Sequence, residues 1–80
     1  MLTLYVKTGC PYCAKVLAVA DELKIELNLK NVADEAIATE LITRGGKLQM
    51  PYLVDGETGT EMYESGDIIE YLKEKAGKPE

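Results

Sequence analysis

The chain has 80 residues, enough for one small domain with a modest core. Its net charge of −5 argues against nucleic acid or an anionic membrane surface as a partner, since both attract basic patches. The longest apolar run, residues 16–20, is too short to cross a bilayer. We therefore expect a single domain over residues 1–80, with no membrane or nucleic-acid partner. Because no leader precedes the first strand pattern, we place it in the reducing cytoplasm.

The first half of the chain has a strand–helix–strand pattern. Leu2, Leu4 and Val6 alternate with other residues, which predicts a strand that ends at Thr8-Gly9. Apolar residues then recur three and four apart, which predicts a helix after Cys10. The residues on its buried face are Cys13, Val16, Leu17, Ala20 and Leu23. Alternation resumes at Ile25, Leu27 and Leu29. A strand, a helix and a second strand in this order favour a parallel pair.

The second half begins with another helix, which ends at Gly45-Gly46. Its predicted buried face carries Ala33, Ala36, Ile37 and Leu41. Residues 50–54 predict a strand with Pro51 at its start or on an edge. Residues 55–59 form a turn cluster, and residues 60–64 predict an antiparallel partner strand.

The last helix is predicted to begin with Ser65 as its N-cap. The residues expected to face the sheet are Ile68, Ile69, Leu72 and Ala76. The complete order is β-α-β-α-β-β-α. It predicts an α/β fold in which helices cover both faces of a four-stranded mixed sheet.

The two cysteines of the chain flank a Pro-Tyr pair at the first strand-to-helix junction. Pro11 suits the first helical position, so Cys10 falls at the N-cap. Unpaired backbone N–H groups and the helix dipole there favour a thiolate, which is the species that attacks disulfides. Cys13 lies one turn further along on the apolar face. We expect Cys10 to be the nucleophile and Cys13 the resolving thiol of a redox-active pair.

Other interpretations of the cysteine pair remain open. Both thiols could be inert core residues, because cysteine is among the most buried residue types. They could form a structural disulfide, although so short a loop would stabilise the fold little. A metal site is disfavoured because zinc normally takes four ligands, and the chain has no histidine and no further cysteine. We expect no metal.

The motifs together resemble those of a glutaredoxin. They are Cys10-Pro11-Tyr12-Cys13 between strand and helix, Met50-Pro51 before a strand, and Glu64-Ser65-Gly66-Asp67 at the start of a helix. The resemblance implies a thioredoxin-like fold and a glutathione-disulfide oxidoreductase. Such an enzyme transfers electrons to protein disulfides and protein–glutathione mixed disulfides and so maintains cell redox homeostasis. Glutathione would be the reductant, and the protein would act as a monomer. The resemblance assigns Cys10 and Cys13 as catalytic residues.

The resemblance also implies a glutathione site. Lys7 would pair with the glycyl carboxylate, helped by Lys47 or Gln49, and Tyr12 would lie along the ligand. Met50 would offer its backbone to the cysteinyl unit beside a cis Pro51. The γ-glutamyl group would meet Ser65, Gly66 and Asp67 at the helix N-terminus. Glutaredoxins tend to have two glycines before this part of the site, and Glu64-Ser65 looks more like the γ-glutamyl clamp of a glutathione transferase N-terminal domain.

Three other functions remain open. A thioredoxin-like electron carrier served by a reductase would need no glutathione site. An iron–sulfur cluster could be held by Cys10 of two protomers with two glutathione thiolates, although Pro11 stiffens that loop. A detoxifying transferase would need a helical domain for its second substrate, and we expect none in these 80 residues.

Overall fold

A computed structural model describes residues 2–77. The elements in chain order are β1 (Leu2–Val6), α1 (Pro11–Glu22), β2 (Leu27–Asn31), α2 (Glu35–Gly45), β3 (Tyr52–Asp55), β4 (Thr60–Met62) and α3 (Ser65–Lys75). This is the predicted β-α-β-α-β-β-α order, and the thioredoxin-like fold class is confirmed. Residues 1 and 78–80 of the expected domain lie outside the described range.

The four strands form one mixed sheet in the order β2-β1-β3-β4. β1 runs parallel to β2 and antiparallel to β3, and β4 runs antiparallel to β3. Leu4 lies opposite both Leu29 and Leu53, so β1 is enclosed by neighbours on each side. The predicted parallel pair is therefore present. Because β1 is an interior strand, the Cys10 loop that follows it lies at the end of a central strand.

Helices cover both faces of the sheet, and each face has its own core. α1 and α3 pack together over the larger core, whose buried residues are Leu2, Leu4, Val6, Cys13, Val16, Ala20, Leu53, Ile68 and Leu72. α2 covers a smaller core of Tyr5, Leu41 and Tyr52. Because β1 contributes to both cores, its side chains are buried on both faces, including that of Tyr5.

Several predicted details at the start of β2 and α2 were wrong. Ile25 precedes β2, and Leu29 is 50% exposed because β2 lies at the edge of the sheet. Ala33 and Ala36 are exposed, since α2 begins only at Glu35, after Asp34 caps it by accepting the Ala36 N–H. Alanine has too little apolar surface to reveal which face a helix buries.

The second half also departs from prediction at element ends. Pro51 precedes β3 rather than belonging to it, and β4 is shorter than predicted. The N-cap of α3 is Glu64, so Ser65 is the first helical residue. Ala76 is an exposed C-cap. Asp55, assigned to the turn, is instead the last residue of β3 and is fully buried.

Candidate functional site

The loop after β1 turns sharply and places Cys10 at the start of α1. Gly9 has φ +84°, a left-handed conformation that glycine adopts without strain. The Cys10 N–H donates to the Lys7 carbonyl at 3.1 Å, and its own carbonyl accepts from Ala14. Cys10 has an extended N-cap conformation and Pro11 is the first helical residue, as predicted.

The Cys10 sulfur is partly exposed and serves as the helix cap. Its Sγ accepts the Cys13 backbone N–H at 3.3 Å. Burial acts to raise the pKa of this thiol. Hydrogen bonds from the Cys13 thiol and from the Cys13 and Tyr12 backbone, together with the charge of Lys7, outweigh burial and lower the pKa below its ordinary value. The arrangement therefore favours a thiolate at Cys10.

Cys13 has the opposite environment. It is 2% exposed and belongs to the larger core between the sheet and the helices. Burial, followed by its hydrogen bond to Cys10, raises the pKa of Cys13 to about 11. Cys13 is therefore a neutral thiol at physiological pH, with its proton directed at the neighbouring sulfur.

A cleft of about 450 Å³ opens beside Cys10. We call it the Cys10 cleft; its lining residues are Val6, Lys7, Thr8, Gly9, Cys10, Pro11, Cys13, Ala14, Leu17 and Asn31. The Asn31 side chain donates to the Thr8 hydroxyl at 3.0 Å and so joins the end of β2 to the loop. Of the predicted site residues, this cleft contains both cysteines and Lys7.

A second cleft, of about 310 Å³, lies beside the cis peptide bond between Met50 and Pro51. We call it the Met50 cleft; its lining residues are Tyr12, Gln49, Met50, Pro51, Tyr63, Glu64 and Ser65. The cis bond agrees with the expectation drawn from the resemblance. The first turn of α1 lies between the clefts, since Tyr12 borders this one and Cys10 and Pro11 border the other.

The remaining predicted residues lie apart from the Met50 cleft. The Lys47 ammonium lies 4.9 Å from the centroid of the Tyr63 ring, and Lys47 lines neither cleft. Gly66 is exposed in the first turn of α3, with open space at its Cα. Asp67 borders a separate depression with Met62, Tyr71 and two glutamates.

Two residues that line the Met50 cleft, Tyr63 and Glu64, were not assigned to the site from sequence. The signal for Glu64 was present in its resemblance to a transferase clamp. The sequence carries no such signal for Tyr63, because its position indicates only the end of a predicted strand. Its side chain reaches the cleft because β4 ends at Met62 and the chain turns there into α3.

Within residues 2–77, no cluster of three or more histidine, cysteine, aspartate or glutamate side chains is arranged to hold a metal ion. Over the same range, no helix has the length and apolar character needed to cross a membrane.

Comparison with known proteins identifies the family. A family model described as "Glutathione S-transferase, N-terminal domain" matches residues 4–80. A search of curated proteins gave no match.

Solved structures agree with the family match. A glutathione S-transferase from the Antarctic clam Laternula elliptica is 32% identical, with a TM-score of 0.80 over 96% of this chain and 36% of the clam chain. Glutathione S-transferase 1-6 from Anopheles dirus species B is 33% identical, with a TM-score of 0.80 over 96% and 37% of the two chains.

Yeast Ure2p, solved in complex with glutathione, is 28% identical, with a TM-score of 0.77 over 96% of this chain and 34% of its own. The present chain thus spans about a third of the length of each of these three proteins. It belongs to the glutathione S-transferase N-terminal domain family.

Proposed function

We propose that the protein is a glutathione-dependent thiol–disulfide oxidoreductase of glutaredoxin type on a glutathione S-transferase N-terminal frame. The observation that carries this proposal is the partly exposed Cys10 sulfur at the N-cap of α1. Its pKa is lowered, and a buried, neutral Cys13 thiol lies behind it. The family match supports glutathione as the small thiol.

The Met50 cleft is the proposed glutathione site. Tyr12, Gln49, Met50, Pro51 and Ser65, all predicted contacts, line it together. In this arrangement the Met50 backbone pairs with the cysteinyl unit of glutathione. The γ-glutamyl carboxylate lies at the N-terminus of α3, where free N–H groups favour an anion.

The ends of glutathione carry charge, and lysines and an aspartate are assigned to them. Lys7 and Lys47 are the proposed partners of the glycyl carboxylate. Gly66 and Asp67 extend the γ-glutamyl site, with Asp67 assigned to the ammonium. These four residues are exposed, so each contact is expected to contribute little by itself.

The first step is attack by the Cys10 thiolate on a disulfide. With a protein–glutathione mixed disulfide, Cys10 bonds to the glutathione sulfur and the protein thiolate leaves and takes a proton from water. A second glutathione thiolate then attacks the Cys10-bound sulfur. Glutathione disulfide departs and Cys10 returns as a thiolate. This cycle needs only Cys10.

A protein disulfide requires the second cysteine. After Cys10 forms a mixed disulfide with the substrate, it no longer carries the charge and hydrogen bond that raise the pKa of Cys13. Cys13 therefore loses its proton more readily and attacks the Cys10 sulfur. The substrate leaves as a dithiol, and two glutathione molecules reduce the Cys10–Cys13 disulfide.

The second candidate is glutathione transfer to an electrophile, which the family match and the transferase neighbours favour. In that reaction the thiolate of bound glutathione is the nucleophile, and Cys10 forms no covalent bond. The two functions therefore differ in whether Cys10 is required.

The test compares the wild type with Cys10→Ser and Cys13→Ser in two assays. One follows reduction of a small glutathione mixed disulfide, and the other follows conjugation of glutathione to an aryl halide. We expect mixed-disulfide reduction to fall at least ~1,000-fold in Cys10→Ser and to persist in Cys13→Ser. Reduction of a protein disulfide is expected to fall in both variants. The proposal would be overturned if Cys10→Ser kept the wild-type disulfide activity. Conjugation of glutathione to the aryl halide by both the wild type and Cys10→Ser would favour the transferase function.

We further infer that residues 1–80 act as one monomeric domain on glutathionylated and disulfide-containing proteins in the cytoplasm. The support for a single domain is the one four-stranded sheet, whose two faces are both covered by helices.

A further inference from the structure

Tyr63 makes an unusual pair of hydrogen bonds at the edge of the Met50 cleft. Its hydroxyl donates to the Lys47 carbonyl at 2.7 Å and accepts the Lys47 N–H at 3.3 Å. Both groups belong to the backbone of one residue, 16 positions earlier in the chain. The tyrosine thus joins the end of β4 to the loop between α2 and β3.

The ring of Tyr63 is fixed as firmly as its hydroxyl. It packs on the Tyr52 ring with 4.4 Å between centroids, and Tyr52 is buried in the smaller core. A Cβ atom added at Gly45 would overlap the Tyr63 hydroxyl oxygen. The last turn of α2 therefore approaches Tyr63 so closely that only glycine fits.

The loop that Tyr63 contacts has few other supports. It runs from Lys47 to Pro51 without regular structure, and Leu48 is 52% exposed. Among the described residues, the two bonds to Tyr63 are the hydrogen bonds that tie residues 47–51 to the rest of the protein. At the other end of the loop, the Met50 side chain packs against both cores.

We propose that Tyr63 is a positioning residue that holds residues 47–50 in place as a wall of the Met50 cleft. This inference rests on the proposed function, because it is the Met50 backbone and Gln49 that would contact glutathione. With the Tyr63 hydroxyl present, the loop is ordered before the ligand arrives, so binding does not have to order it. Tyr63 thus sets the affinity for glutathione without taking part in the exchange step.

The test is steady-state kinetics of Tyr63→Phe, with glutathione as the varied substrate. Phenylalanine keeps the ring packing and removes both hydrogen bonds. We expect KM for glutathione to rise about 3- to 10-fold, with kcat and the alkylation rate of Cys10 unchanged. Amide hydrogen exchange at Lys47 should accelerate. Gly45→Ala, whose Cβ would overlap the same hydroxyl, should also raise KM.

Tyr5→Phe is the matched control, because it also loses a tyrosine hydroxyl bond, but that bond goes to Glu40 at 2.6 Å in α2 and not to the loop. Its KM should equal that of the wild type. If KM for glutathione is unchanged in Tyr63→Phe, or rises as much in Tyr5→Phe as in Tyr63→Phe, this inference is overturned and the proposed function is not affected. A wild type that neither binds glutathione nor turns over with it would overturn the inference and the proposed function together.

Discussion

Cys10 and Cys13 lie one helical turn apart, but their surroundings act on their thiols in opposite directions. Cys10 caps the helix, where N–H groups, the Cys13 thiol and Lys7 favour the charged form over the opposing effect of burial. Cys13 lies in the core, where burial favours the neutral form. Cys10 is therefore suited to attack a disulfide as a thiolate, whereas Cys13 is suited to react only after Cys10 has formed a mixed disulfide.

Asp55 is a buried carboxylate that is stabilised by three hydrogen-bond donors. Its carboxylate accepts the Tyr71 hydroxyl, the Lys75 ammonium at 2.9 Å and the Glu57 N–H at 2.9 Å. These contacts, with the Tyr71 bond foremost, lower the pKa of Asp55 far below its ordinary range despite burial. Asp55 therefore joins β3 and its turn to the end of α3.

Asp55→Asn is expected to lower the free energy of unfolding by about 3 kcal/mol at neutral pH, because a buried charge-assisted network loses its anion. Since the folded pKa is depressed, the stabilisation is full above the unfolded pKa of about 3.9 and is lost as pH falls below it. Urea unfolding at pH ~7 and pH ~3 measures this. The difference from the wild type should shrink at the lower pH. An exposed control, Asp21→Asn, should change little, and a difference that stayed constant with pH would contradict the account.

At the scale of elements, α2 is held to the sheet by one buried side chain and several surface pairs. Glu40 accepts from the Tyr5 hydroxyl and from Lys30 at 2.8 Å, and Arg44 pairs with Glu61 at 2.8 Å. Both ion pairs are about a third exposed, so each is expected to contribute about 1 kcal/mol or less. Leu41, with no exposed surface, is the main attachment.

Leu41→Ala is therefore expected to cost about 3 kcal/mol of unfolding free energy, from lost burial and the cavity left beside Tyr5 and Tyr52. Its neighbour Ile42 is 45% exposed, so Ile42→Ala should cost under about 0.5 kcal/mol. Denaturant unfolding of the two variants gives the comparison. Equal costs would show that α2 is not held by its buried face.

The sequence predicted elements best where local chemistry decides the outcome. Pro11 and Cys10 define the start of α1, and Gly46, with φ +93°, ends α2 as expected. Burial was predicted less well, because it depends on neighbours distant in the chain. Tyr5 alternates with apolar residues, yet it is buried because α2 covers the second face of β1. Leu29 is half exposed because β2 is an edge strand of the sheet.

At the scale of the whole molecule, a single sheet joins two cores. β1 contributes Leu4 to the larger core and Tyr5 to the smaller one, so loss of either core exposes the same strand. The tyrosine ring pairs belong to the α2 side, whereas α1 and α3 lie on the other. This arrangement couples the two sides during unfolding.

We expect residues 1–80 to unfold in one cooperative transition. Near-ultraviolet circular dichroism reports on the packed tyrosines, which lie in both cores, and far-ultraviolet circular dichroism reports on all three helices. The two signals should have the same urea midpoint within error. Separate midpoints would contradict the proposal that this segment is one domain.

The candidate site was predictable only in part, because one of its two clefts is assembled from segments that are distant in the chain. The cysteine motif lies within four residues, so its geometry could be derived locally. The Met50 cleft is assembled from α1, the loop before β3 and the start of α3. Tyr63 is held at this cleft by a hydrogen bond to the Lys47 carbonyl, 16 positions earlier in the chain, and no local sequence pattern indicates such a bond.

The most direct test of the central claim is the pH dependence of Cys10 alkylation. Reduced protein is treated with iodoacetamide from about pH 5 to about pH 10, and each cysteine is quantified by mass spectrometry of its peptide. We predict that Cys10 reacts with a midpoint below that of an ordinary thiol, about 8.5, while Cys13 stays unmodified throughout most of the range. A Cys10 midpoint at or above the ordinary value, or equal labelling of the two cysteines at neutral pH, would contradict the account.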